Sequence, residues 1–509
     1  MLLRSAAAIG TGISLLASGG ALADSNFLNI VQDGNTNQGS VVQTGQGNTA
    51  GTATLPVHQT GIFDSLTVIQ SGDGNTLGLD GQGAVQFGTA STDGSAANSA
   101  TIIQNSNGNR IGELVQSTGA VHASTANTLT VTQDIGNDNV IGSIQQIEAS
   151  GASGNLATVV QTGAHNWLDQ LVQQSTSTEG LNRILFKATG NYNGTDLGPA
   201  TGPGTLAIVA RSTGATASRI IQGSDLSGGA NNDAALIITG LYNEFGIEQL
   251  GIDNSVGSTI TGLGNSFASY QQGEHNQISS GNIAGDGNDM GLRQVGGENA
   301  ISANLQWSSG YNEVGVGQDG ESNTADLVLK GDHGIFGVSQ LGRENKATLT
   351  STGNGNIIVA IAANDGALTD RGNDLQVSIN GDGNNGLLGG SPQSFTGPAL
   401  LVADAAPAIA GSLLLAPDAG LMLGPHNDSA GLMPGLLIQW GDGDSMTITV
   451  GASRASSNNL FTAAQVGNGN LLTAAIDGNE NQLAVLQFGN GNTAASEIDG
   501  THNITAISQ

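Results

Sequence analysis

One short pattern recurs along this chain every eleven residues and constrains what it can fold into: Gln or Ile, then Gly two positions on, then Asn five positions on. Near the C-terminal end the first position is held by Gln465, Ile476, Gln487, Ile498 and Gln509, each eleven after the last. Between each Asn and the next first position, side chains alternate with period two. Asn481, Leu483, Val485 and Gln487 fall on one face, and Gln482 with its alternating neighbours falls on the other. That is strand periodicity, not helix periodicity. The Gly supplies a turn, because it tolerates positive φ and close backbone approach. Each eleven reads as one strand plus one arc, and the alternation of Gln with Ile makes two elevens, about 22 residues, the full unit.

The expected fold is all-β: a β-solenoid of stacked two-stranded rungs, with Asn, two apolar residues and Gln or Ile pointing inward on each strand. Composition agrees. Among 509 residues there are 80 Gly, no Cys, 3% aromatic and 10% charged side chains. Such a chain has too few rings for a thick, jigsaw-packed interior, while its 38% hydrophobic content is too high for a solvated coil. The amides have a structural rationale. One primary amide per rung can donate to one neighbouring rung and accept from the other, so stacked Gln and Asn build continuous ladders.

The candidate ladder residues are read directly from the repeat. In the N-terminal part they are Gln32, Gly34 and Asn37; Gln43, Gly45 and Asn48; Gln70, Gly72 and Asn75; and Gln161, Gly163 and Asn166. In the centre they are Gln249, Gly251 and Asn254; Gln271, Gly273 and Asn276; Gln294, Gly296 and Asn299; Gln318, Gly320 and Asn323; and Gln340, Gly342 and Asn345. At the C-terminal end they are Gln465, Gly467 and Asn470, then Gln487, Gly489 and Asn492.

These residues resemble the curlin repeat, whose pattern is Gln-x-Gly-x-x-Asn-x-Ala with a second Gln eleven residues on. Gln43-Thr44-Gly45-Gln46-Gly47-Asn48-Thr49-Ala50 matches position by position, as does Gln487-Phe488-Gly489-Asn490-Gly491-Asn492-Thr493-Ala494. The resemblance implies a structural component of an extracellular curli-type amyloid fibre or biofilm matrix. Its implied partners are further copies of itself, related curlin subunits, an outer-membrane export channel of the curli type, and host or abiotic surfaces. The chain departs from the family in its length, in carrying Ile at half of its late first positions, and in frequent replacement of the Ala.

Around the repeats, the sequence divides into six stretches. Residues 1–23 read as a secretory signal peptide: Arg4 precedes an Ala/Leu/Ile/Gly run that ends in Ala21-Leu22-Ala23. Residues 24–190 are N-terminal curlin-like repeats, 191–237 degenerate or looped repeats, 238–390 central repeats, 391–445 an insertion, and 446–509 C-terminal repeats. The insertion holds Pro392, Pro398, Pro407, Pro417, Pro425 and Pro434, which a central strand cannot accommodate. It reads either as a loop or hairpin packed on the solenoid or as an apolar contact surface. No segment after the leader has 18 or more uninterrupted apolar residues, so no transmembrane segment is expected.

A net charge of −29 disfavours nucleic acid and anionic membrane partners. No cofactor, metal or catalytic residue is expected, and the chain reads as a non-enzyme. His165, His275 and His502 share one repeat position just before Asn, which explains them better than metal ligation does. Gly381-Asp382-Gly383-Asn384-Asn385-Gly386 satisfies G-x-G-x-x-G but is the repeat arc of Ile379, with no crossover helix after it. The Gly-Asp-Gly-Asn arcs differ from calcium-binding rolls in period and in the dominance of Asn. Two readings stay open: a self-assembling extracellular fibre subunit, and a secreted solenoid adhesin that does not polymerise.

Overall fold

The computed structural model describes residues 25–88, 98–118, 127–149, 154–175, 182–194, 218–223, 231–364, 371–388 and 432–509, with isolated positions between 391 and 399. A short backbone strand, Ile13–Leu15, pairs in parallel with Gly39–Val41. The remainder of the expected signal peptide, and most of the degenerate stretch and of the insertion, lie outside the described residues. The chain forms two compact units, one built mainly from residues up to Gly264 and one mainly from residues after it.

Each unit is a β-solenoid. Successive strands alternate between two sheets, and within each sheet every strand pairs in parallel with strands one rung away. In the first unit, Asn98–Gln104 lies between Ser65–Ser71 and Asn127–Asp134 with no register shift. In the second, Leu460–Val466 pairs with Gln482–Phe488, which pairs with Ile504–Ser508. Buried and half-buried residues alternate along Asn98–Gln104 and along Ser445–Val450, as the period-two sequence pattern requires. The inward aliphatic side chains, such as Ala100, Ile102, Leu129 and Val131, are almost fully buried. Each large one contributes about 1.5 to 3 kcal/mol.

Rung length is about 22 residues only where the arcs are tightest. The separation between stacked Gln residues is 22 for Gln465 and Gln487, 27 for Gln59 and Gln86, and 34 for Gln70 and Gln104. It reaches 49 for Gln173 and Gln222, whose intervening sequence includes the degenerate stretch. Strand pairing sets the register and leaves the connecting chain free to lengthen, because loop closure costs rise only slowly with length.

The repeat also resumes before residue 446. Leu436–Trp440 is a regular strand between Ile357–Ala363 and Leu460–Val466, so a rung lies within the stretch assigned to the insertion. The described flanks of that insertion pack on the outside of this sheet: Ala399 and Leu432 are buried against Val359, Ile361, Ala464 and Leu486. The Thr396 N–H donates to Gln482 Oε1 at 2.7 Å. Every residue of Ile357–Ala363 is buried as a result, on both faces.

The arcs require Gly for two reasons. Gly240 has φ +132°, and a Cβ there would sit 1.9 Å from the carbonyl oxygen of Gly262 in the adjacent rung. Gly246, in a strand, is the contrasting case: the position a Cβ would take there has no atom within 4 Å. Gly240→Ala is therefore expected to lower the unfolding free energy by roughly 1 to 3 kcal/mol from backbone strain alone, with the clash adding to that. Gly246→Ala should leave the denaturation midpoint unchanged or raise it slightly.

Candidate functional site

The feature that repeats with functional-site regularity is a set of amide columns buried between the sheets. In the first unit, one column runs Gln32, Gln59, Gln86, Gln116, Gln146, Gln173, Gln222, Gln249, Gln271. Each Nε2 donates to the Oε1 of the next at 2.6 to 2.9 Å. The second Nε2 proton crosses the core to a backbone carbonyl of the facing sheet, as from Gln59 to Gln38 and from Gln86 to Ser65. Each amide thus ties its rung to the next and one sheet to the other.

A second Gln column stands in the opposite sheet of this unit: Gln43, Gln70, Gln104, Gln133, Gln161, at 2.8 to 2.9 Å. It ends where Gln161 pairs in register with Ala188, and Ile238 and Ile260 take the position thereafter. Phe186, fully buried, packs on Phe245 at 4.8 Å near this change from amide to aliphatic core. The Gln and Ile of successive elevens therefore never meet. They belong to different sheets, and Gln stacks mostly on Gln and aliphatic side chains mostly on aliphatic ones.

In the second unit, Gln294, Gln318 and Gln340 form one ladder, and Gln439, Gln465, Gln487 and Gln509 another, at 2.7 to 3.1 Å. The opposite column is aliphatic, running from Ile379 through Val450 and Ile476 to Ile498.

Asn residues line the corners where arcs become strands. The backbone N–H and Nδ2 of Asn481 both donate to Asn459 Oδ1, at 3.0 and 3.1 Å, and Asn503 repeats this on Asn481. The other Nδ2 proton goes to an arc carbonyl, as from Asn166 to Gly190, Asn323 to Gly342 and Asn481 to Gly500. Asn37, Asn48, Asn75, Asn254, Asn276, Asn299, Asn345 and Asn470 occupy equivalent corners and are buried. Asn492, one rung after Asn470, takes the same bond through its backbone N–H. The arc glycines Gly34, Gly45, Gly72, Gly163, Gly251, Gly273, Gly296, Gly320, Gly342, Gly467 and Gly489 all have positive φ. In the Gln columns the earlier rung donates to the later one, whereas in the Asn columns the later donates to the earlier. The amide dipoles of the two systems therefore point in opposite directions along the stack.

The sequence triads missed Gln59, Gln86, Gln104, Gln116, Gln133, Gln146, Gln173, Gln222 and Gln439. Two of these carried a usable signal: Gln59-x-Gly61-x-x-Asp64 and Gln439-x-Gly441-x-x-Asp444 keep the spacing and change only Asn to Asp.

Those two aspartates are defects in the corner ladders. Asp64 Oδ1 accepts from the N–H and Nδ2 of Asn98, and Asp444 Oδ1 accepts from the same groups of Asn470. Oδ2 of each, standing where Asn carries its donor, is buried without a hydrogen-bond partner. Burial pushes the Asp64 carboxyl up to about 6, against the lowering effect of Asn98 and of the Gly88 backbone. Burial also pushes Asp444 up to about 6, opposed by the Asn470 bonds and reinforced by the nearby charge of Asp442. Glu148, with both oxygens buried and unpartnered, is pushed by burial up to about 8. A further defect is Ala362, which pairs in register with Gln340 on one side and Gln439 on the other. It interrupts the Gln ladder and leaves Gln439 Oε1 buried without a donor.

No three His, Asp or Glu side chains gather as a metal site among the described residues. His165, His275 and His502 all stand at the left-handed corner before Asn, with φ 57° to 61°. The G-x-G-x-x-G segment is an arc between the strands Asp374–Asn380 and Leu387–Leu388. No described helix is long and apolar enough to cross a membrane. Neither a protein-family model nor a curated protein sequence matches the chain.

Two outcomes follow for stability. Ala362→Gln should raise the denaturation midpoint, adding about 1 to 3 kcal/mol by supplying the donor that Gln439 lacks. Ala360, the next inward residue on the same strand, is also small. For the aspartates, a folded pKa above the unfolded one means that the folded state holds the proton more tightly. Their stabilising contribution is complete below about pH 4 and is lost as pH rises through about 6. Asp64→Asn should therefore stabilise the protein by roughly 2 kcal/mol at pH 7 and have little effect at pH 4, measured as the difference between variant and parent denaturation curves.

Proposed function

We propose that this protein is a structural subunit of an extracellular curli-like amyloid fibre or biofilm matrix, working in adhesion and cell aggregation by self-assembly. The observation that carries the reading is the chemical equivalence of successive rungs. Nearly every rung offers its neighbour parallel backbone donors and acceptors, at least one inward Gln amide and Asn corners, so a rung of a second copy presents similar groups in the same places. The short Gln-x-Gly-x-x-Asn elements that resemble curlin repeats are the ones that build these rungs. In this reading the partners are further copies, related curlin subunits, an export channel of the curli type in the outer membrane, and host or abiotic surfaces.

A second reading, a secreted solenoid adhesin that does not polymerise, is favoured by the inequality of some rungs. Spacings of 34 and 49 residues, the exchange of Gln161 for Ala188 and the buried Glu148 make parts of the first unit a poor template for another copy.

The two are separated by incubating the purified chain at high concentration. Polymerisation predicts thioflavin binding and a fibre diffraction reflection at about 4.7 to 4.8 Å along the fibre axis. Gln465→Glu, Gln487→Glu and Gln509→Glu together place like charges at ladder spacing and should slow fibre growth at least about tenfold. A persistently monodisperse monomer, or fibres growing at an unchanged rate from the triple variant, would refute the self-assembly reading.

A further inference from the structure

The arcs leading into the sheet that carries Gln146, Gln173 and Gln249 in the first unit have a corner residue in the left-handed conformation just before each Asn. In successive rungs it is Asp138, His165, Tyr192, Tyr242 and Gly264, with φ between 57° and 62°. A bulky side chain is unfavourable at such φ, and Gly fills the same corner at Gly47, Gly74 and Gly108. Two consecutive tyrosines there are therefore a departure that calls for a compensating interaction.

The compensation is a ring stack. His165 and Tyr192 lie 4.7 Å apart with planes inclined by 16°, and Tyr192 and Tyr242 lie 5.0 Å apart, inclined by 11°. Backbone bonds hold the spacing: the Tyr192 N–H donates to the Ala164 carbonyl and the Tyr242 N–H to the Asn191 carbonyl, at 3.0 and 3.2 Å. Both residues are exposed, at 37% and 41%, so an external oxidant can reach them. The next rung presents Gly264, which has no side chain to stack on the outer face of Tyr242. Of the four tyrosines, Tyr270 is buried and Tyr311 stands in the other unit, stacked on His333. The chain has no Cys, so disulfides cannot lock its rungs together.

We propose that Tyr192 and Tyr242 form an oxidative cross-linking site at which a peroxidase using hydrogen peroxide joins the two phenols and covalently locks one rung to the next. Each phenol gives up one electron and one proton to become a tyrosyl radical. The two radicals couple between ring carbons ortho to the hydroxyls, forming one C–C bond. The hydrogens on the coupled carbons then leave those carbons as the phenol O–H groups are restored. In sum, two C–H bonds break, and the two electrons and two protons removed reduce one hydrogen peroxide to two waters. Stacking holds the coupling partners next to each other, so the intramolecular reaction outruns encounter between separate chains. Exposure on the solvent side leaves the rings room to pivot from stacked to bonded geometry.

The test treats dilute full-length protein with a haem peroxidase and hydrogen peroxide, then reads dityrosine fluorescence in the monomer fraction and the masses of tryptic peptides. The expected product is a monomer lighter by two hydrogens, with peptide 188–211 joined to peptide 220–293 through Tyr192 and Tyr242. Tyr192→Phe and Tyr242→Phe keep a stacking ring but remove the phenol, and each should lower monomer dityrosine at least about tenfold, while Tyr311→Phe leaves it unchanged. Protein unfolded in denaturant before oxidation should lose this preference and spread its links over all four tyrosines. An undiminished yield in either of the first two variants, absence of the joined peptides from folded monomer, or the same link distribution in folded and unfolded chain would overturn the proposal.

Discussion

The structure depends on one requirement: an amide buried between two sheets has to find partners in the rungs on either side of it. A buried Gln that lacks a partner costs roughly 1 to 3 kcal/mol, whereas a satisfied one adds only about 0.5 to 1.5 kcal/mol. The ladders consequently act more on register than on total stability. Sliding a strand by one residue would turn every inward amide and aliphatic side chain outward. Once Gln59 faces Gln86 and Asn75 faces Asn48, every other pairing in those strands is determined.

This explains how one architecture tolerates very unequal connections. The corner ladder continues from Asn384 to Asn459 at 3.0 Å although 75 positions separate them. The strands are indexed by their amides, and part of the intervening chain, Leu436–Trp440 and Ser445–Val450, itself supplies strands to the stack. The same logic explains why the arcs are restricted in chemistry where they are short. At Gly34 and Gly61, or Gly478 and Gly500, adjacent backbones approach so closely that a Cβ would overlap the neighbouring carbonyl.

The defects are as informative as the regular rungs. Asp64 and Asp444 keep the acceptor of the ladder and lose its donor, and Ala362 loses both, so each imposes a local penalty inside a frame that the surrounding rungs hold in place. Such sites make the stack chemically uneven: proton-sensitive at the aspartates and at Glu148, and uncoupled across the Gln column at Ala362. At the surface, Tyr192 and Tyr242 show the complementary case, in which a strained corner is occupied by rings that the repeat places one above the other.

The sequence alone determined the strand periodicity, the two-strand unit and the identity of the inward face. Each of these is a local property of residues a few positions apart: Gln487, Gly489 and Asn492 already encode strand end, arc and corner. Ladder members such as Gln104 were harder to read because Ser106 stands where Gly is usual, and Gln222 because a long stretch of chain separates it from Gln173. Gln439 keeps the Gly two positions on, but it lies in a Pro-rich segment and its corner residue is Asp444 instead of Asn. Which amide stacks on which, where an alanine breaks the column, and which aspartate replaces an amide donor were decided only by the tertiary structure. The physical reason is that these contacts join residues 22 to 75 positions apart through rung stacking, and no local spacing rule records how much chain is set aside between one rung and the next.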